Sequence, residues 1–143
     1  MKYQKQTVTS GAWVDKSQLK NGQRAKIVSE TNAQPSNFPD SKGNPQTQNV
    51  AKVMFEGQKE AVNVAINQTT INGLVDAFGE DSKDWQGHYL TVDIEEGRTA
   101  GKKSFTLYLI PPEYEKIDDD FGYAKIVRKG DTVKEEEIPS DVI

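Results

Sequence analysis

The segment Gly-Arg-Thr-Ala-Gly-Lys-Lys-Ser (97–104) places Arg98, Lys102 and Lys103 close together, with Gly97 and Gly101 loosening the backbone around them. Folding does not need three cations so near one another. Their natural chemistry is neutralisation of an anion such as a phosphate chain. Other cations share strand faces. Arg24 and Lys26 alternate with Ala25 and Ile27, and Lys52 lies opposite Ala51, Val53 and Phe55. Flat rings would supply the complementary chemistry by stacking on unpaired bases. Tyr89 faces away from Leu90 and Val92, and Tyr108 faces away from Phe105, Leu107 and Leu109. Phe38 sits with Lys42 in a polar, Pro-rich stretch, as a stacking ring or as an anchor for that stretch. Phe55 reads either as a ring of this surface or as core. The candidate binding set is therefore Arg24, Lys26, Phe38, Lys42, Lys52, Phe55, Tyr89, Arg98, Lys102, Lys103 and Tyr108.

Bond-making chemistry has little to work with. His88 is the only histidine and there is no cysteine, so a typical zinc site and a thiol nucleophile are not expected. No serine sits in a nucleophile elbow, and neither Gly-rich stretch fits a phosphate loop. The carboxylates of Lys-Ile-Asp-Asp-Asp-Phe-Gly (116–122) lack the spacing of a calcium loop and read as a solvated acidic linker. The expectation is a protein that binds and does not catalyse, with no cofactor and no metal.

The elements that would carry these residues alternate in hydropathy. Residues 23–30 read as a strand after the Asn21-Gly22 turn. Residues 31–46 hold three prolines and read as a long loop. Strands follow over 47–57 and 61–67. Ile71, Leu74, Val75 and Phe78 then form one helical stripe, with Thr69 as the N-cap and Gly79 as the stop. The helix is too short to persist alone and must dock by that stripe. Two more strands are read over 88–96 and 104–112. The order strand, strand, strand, helix, strand, strand predicts a mainly β five-stranded Greek-key barrel of OB type, its short helix plugging one open end.

Hydrophobic residues make up 34% of the 143, enough for one modest core. Residues 22–111 form the expected barrel, residues 1–21 an N-terminal extension with an extra strand, and residues 112–143 an acidic C-terminal tail or hairpin. The net charge of −4 is uneven. Residues 1–111 hold 13 basic and 12 acidic side chains, whereas residues 112–143 hold five and ten. A near-neutral body can still present a local basic face. The N-terminal residues show no hydrophobic signal region and no apolar run is long enough to span a bilayer. The expected location is cytoplasmic, or the host cytoplasm for a viral protein.

The stretch "AINQTTINGLVDAFGEDSKDWQGHYLTVDI" (65–94) resembles OB-fold single-stranded DNA-binding proteins of phage, archaeal or bacterial type. In that pattern an Asn at a strand end precedes a short helix closing in Phe-Gly. An acidic linker, a Trp-x-Gly turn and a strand follow. Here these are Asn67, Phe78, Gly79, Asp81, Asp84, Trp85 and Gly87. The resemblance covers residues 22–111 and implies sequence-independent binding of single-stranded DNA in replication, recombination or repair. The ending "EEEIPSDVI" is similar to the acidic, Ile-Pro-containing ends of bacterial members, but without their terminal Phe. It implies replication or repair proteins as partners of the tail; the tail's acidity by itself suggests competition with DNA for the basic face, and a homo-oligomer is a further expectation. The alternative expectation is an OB-like protein-interaction module, such as an accessory or virion protein, with no nucleic acid bound.

Overall fold

The computed structural model describes residues 12–35, 42–44 and 46–130. The described residues are mainly β with one α-helix, and their paired strands run antiparallel within two sheets. The strands are β1 (Arg24–Ile27), β2 (Asn32–Pro35), β3 (Thr47–Phe55), β4 (Val62–Ile66), β5 (Tyr89–Thr99), β6 (Lys102–Ile110), β7 (Tyr114–Asp118) and β8 (Ala124–Arg128), with α1 (Gln68–Phe78) between β4 and β5. Among the described residues, eight strands replace the five expected. The five anticipated segments are all present as strands; β2, β7 and β8 are additional.

The first addition corrects the reading of residues 31–46 as loop throughout. Asn32–Pro35 pair with Val50–Thr47. Pro35 is tolerated because β2 is an edge strand, where a missing donor leaves no ladder bond unmade. β1 and β2 lie in succession along one side of β3. The register slips between them, from Ile27 opposite Val53 to Asn32 opposite Val50. The Ser29 hydroxyl accepts the Lys52 N–H at 2.8 Å in that interruption.

β4 takes the other side of β3, and β1 continues the sheet to β5 and β6. Among the described residues no ladder joins β4 to β6, so the expected closed cylinder is not found. The start of α1 occupies that seam. Asn67 Nδ2 donates to the Leu107 carbonyl at 2.9 Å, and the Leu109 N–H reaches Thr70 Oγ1 at 3.4 Å. Two helix side chains thus satisfy groups of β6 that a neighbouring strand would otherwise take.

Asn67, not Thr69, is the helix cap. Its extended backbone frees the side chain to accept the Thr70 N–H at 2.9 Å. Thr69 instead donates to the Ala124 carbonyl at 3.5 Å. The stripe behaves as expected: Leu74 is fully buried, and Ile71, Val75 and Phe78 pack against the main core. Burying Leu74 is worth about 2 kcal/mol. Gly79 ends the helix at φ 106°, and Trp85 Nε1 donates to its carbonyl at 2.7 Å. That core is built from the inward residues of the sheet, including Ile27, Val53, Phe55, Val64, Leu90, Val92 and Leu109.

Residues 12–14 lie beside β4, with Val14 N–H donating to the Asn63 carbonyl at 3.0 Å. Trp13 is half exposed, and residues 1–11 lie outside the described residues. At the other end, where an acidic tail or hairpin was expected, β7 and β8 form a hairpin. Its reversal lies at Asp119–Tyr123, and Lys129 N–H to Glu113 carbonyl at 2.8 Å closes its base. Tyr108, Ile110, Tyr114 and Ile126 make a second small core with Ala77 and Ala124. The hairpin can close on the helix because residue 73 is glycine. A Cβ there would stand 2.8 Å from Ile126 Cγ2. Residues 131–143, with the acidic run and Ile-Pro, lie outside the described residues. Among the described residues no helix is long and apolar enough to cross a membrane.

Candidate nucleic-acid interface

Strand alternation sends Ala25 and Ile27 inward and leaves Arg24, Lys26 and Val28 on the outer face of β1 and just beyond it. The register then aligns Met54, Lys26 and Tyr89 as one row across β3, β1 and β5. Tyr89 is 57% exposed. Lys26 Nζ lies 4.5 Å from the centre of its ring, and the Arg24 guanidinium carbon lies 5.8 Å away. Both cations are attracted to the ring's negative face, which holds their flexible stems beside it. These residues edge an open groove of about 500 Å³, with Val28 and Met54 as apolar lining and Glu56 as the acidic member. Two cations against one carboxylate leave the groove basic.

The arrangement offers an open ring flanked by cations, on a rigid sheet. It can take a flat ring against Tyr89 and an anion against Arg24 and Lys26. Lys52 lies on the same outer face, half-buried, and its carbonyl accepts the Val28 N–H at 2.9 Å. Val28, Met54 and Gln58 were not singled out from the sequence. Alternation puts Val28 on the face of Arg24 and Lys26 and Met54 on that of Lys52, but apolar side chains gave no signal for binding an anion or a base.

Other candidates go elsewhere. Phe55 is 1% exposed and belongs to the core, because it shares the inward face of β3 with Ala51 and Val53. Tyr108 does face away from Leu107 and Leu109, but it is only 8% exposed. The hairpin covers it, with Lys116 Nζ 4.6 Å from the ring centre. Lys116 also pairs with Asp93, at 2.6 Å, and with Glu95. Burial pushes the Tyr108 hydroxyl above its ordinary pKa, helped by the Glu95 charge and opposed by Lys116. For Lys116, burial favours proton loss, yet the bonds to Asp93 and Glu95 outweigh it and the pKa is raised.

Arg98, Lys102 and Lys103 sit together at the tip of the β5–β6 hairpin. Its turn residues Ala100 and Gly101 both have positive φ, which matches the twist of a tight two-residue hairpin. Arg98 donates to the Gly101 carbonyl at 3.3 Å, and Lys103 pairs with Glu96 at 2.9 Å. Nine residues of β5 separate this tip from Tyr89, roughly 30 Å at strand rise. Asp93 and Glu95 intervene on the outer face, so the tip and the groove are two surfaces, not one strip. Lys42 is exposed in a short segment between residues outside the description, and Phe38 itself lies outside the described residues.

Compared with family models, with curated proteins and with solved structures, the chain matches none.

Proposed function

We propose that this chain is a binding module for single-stranded nucleic acid, largely indifferent to base sequence, acting in replication, recombination or repair. The observation that carries the reading is the exposed Tyr89 ring with Arg24 and Lys26 against it. A ring stacks on any base, and the two cations neutralise neighbouring phosphates. The strand pairing supports an OB-type connectivity: β1 pairs with both β3 and β5, β3 with β4, and β5 with β6, with a helix after β4. The open β4–β6 seam agrees with OB barrels being only partly closed. In this reading the groove holds the strand and the tip cations Arg98, Lys102 and Lys103 add a second phosphate contact. No bond is made or broken.

Anisotropy titration of labelled oligo-dT at two salt concentrations tests it. Binding should weaken as salt rises, because each contacted phosphate releases counterions. Tyr89→Ala should cost about 1–3 kcal/mol of binding, and Tyr89→Phe much less. A flat titration for the wild-type chain, or equal affinity with Tyr89→Ala, would contradict the reading. A second reading, a protein-interaction module, is favoured by Phe121 and Tyr123, which are 85% and 72% exposed at the β7–β8 reversal. On that reading oligo-dT gives no signal at any salt.

A further inference from the structure

Phe121 and Tyr123 are the most exposed large hydrophobic side chains among the described residues, and their backbone is not loose. Asp119 Oδ1 accepts the N–H groups of both Phe121 and Tyr123 at 2.9 Å. The Asp119 N–H donates to the Tyr123 carbonyl at 2.8 Å, and the Gly122 N–H to the Asp119 carbonyl at 3.0 Å. Two rings are thereby held out on a fixed reversal that also carries the exposed Asp118 and Asp120. Rigid, exposed aromatics are the usual anchors of protein contacts, since little rotamer entropy is lost when they bind. The carboxylates require a basic receiver with an apolar floor.

The groove at Arg24 and Lys26 has that chemistry, with Val28, Met54 and the Tyr89 ring as its floor. One molecule cannot join the two surfaces. Lys116 fixes β7 against Asp93 and Glu95, so the reversal lies beyond Glu95, roughly 20 Å along β5 from Tyr89. We propose that the Phe121–Tyr123 reversal of one copy docks into the Arg24–Lys26–Tyr89 groove of a second copy. Phe121 packs on the Tyr89 ring and Val28, and Asp118 and Asp120 face Arg24 and Lys26. The contact joins two different surfaces, so it is heterologous and builds head-to-tail assemblies, open or cyclic according to the rotation between copies. Two rings and two carboxylates bury well under about 1,200 Å², which makes the association weak and transient.

Sedimentation of the full chain from micromolar to about 1 mM, at low and high salt, reads this directly. The weight-average mass should climb with concentration and fall back as salt screens the carboxylate–cation pairs. Phe121→Ala with Tyr123→Ala should weaken association about tenfold or more. Both side chains are exposed, so the fold is kept. Lys26→Glu and Asp120→Lys should each weaken it, and the two changes in one chain should recover much of the loss. A mass constant over the range overturns the inference, as does association that survives loss of both rings. It stands on the groove and not on the nucleic-acid reading. Ring-dependent assemblies support it whether or not oligo-dT dissolves them, and indifference to oligo-dT counts against the nucleic-acid reading alone.

Discussion

Lys116 illustrates how one side chain can do for the outer face what the core does for the inner one. Its ammonium sits over the Tyr108 ring and between Asp93 and Glu95, pinning β7 onto β5 and β6. Replacing it with Met leaves the half-buried Asp93 without its cation and should lower stability by about 1–2 kcal/mol, measured by urea unfolding at neutral pH. The pH dependence has a definite sign. Lys116 and Tyr108 are both raised above their ordinary values, so the unfolded chain loses these protons first as pH rises. Their contribution is complete below about pH 10 and is lost as pH climbs through the folded-state values. The unfolding midpoint should therefore fall above about pH 10, more steeply in the wild type than in Lys116→Met. Equal slopes would show that the clasp does not hold the hairpin. At this scale the faces of Arg24, Lys26 and Tyr89 were legible, because alternation depends only on near neighbours. Burial of Tyr108 was not, since its cover comes from residues 114–128 and alternation cannot report a distant partner. Phe55 was undecided for the same reason: the residues that enclose it come from other strands.

Among the elements, α1 carries two duties that pull its sequence in different directions. Its N-terminal side chains bond to β6 across the open seam, and its back receives the hairpin. Gly73 weakens the helix by about 1 kcal/mol relative to Ala, yet any Cβ there collides with Ile126. Gly73→Ala should thus destabilise the protein by about 1–3 kcal/mol in thermal unfolding. In an Ile126→Ala background the 2.8 Å contact is gone and only the 3.0 Å approach to the Cβ of residue 126 remains, so the same change should destabilise by clearly less, with helix propensity offsetting up to about 1 kcal/mol. Destabilisation of equal size in both backgrounds would sink this account of the glycine. The helix and its apolar stripe were readable from spacing alone. The cap was not: Thr69 and Asn67 both suit the position, and Asn67 takes it because its other amide atom also bonds Leu107. The β7–β8 hairpin was obscured by its charges, since only Tyr114 and Ile126 on it face the second core as buried residues.

For the whole molecule, strand order was inferred from the sequence with fair success, whereas closure was not, because a ladder between β4 and β6 depends on what α1 does in the seam. The prolines of residues 31–46 hid β2, an edge strand that can accept one. The consequence for function is that the cationic residues divide into a groove and a hairpin tip at opposite ends of β5. The central claim is that the groove is the primary contact for single-stranded nucleic acid. Backbone amide shifts of the labelled protein on titration with oligo-dT test it most directly. The account predicts that the largest shifts fall on residues 24–28, 54–58 and 89, with smaller ones at 98–103. Shifts confined to the hairpin tip, or an unchanged spectrum at saturating oligo-dT, would contradict it.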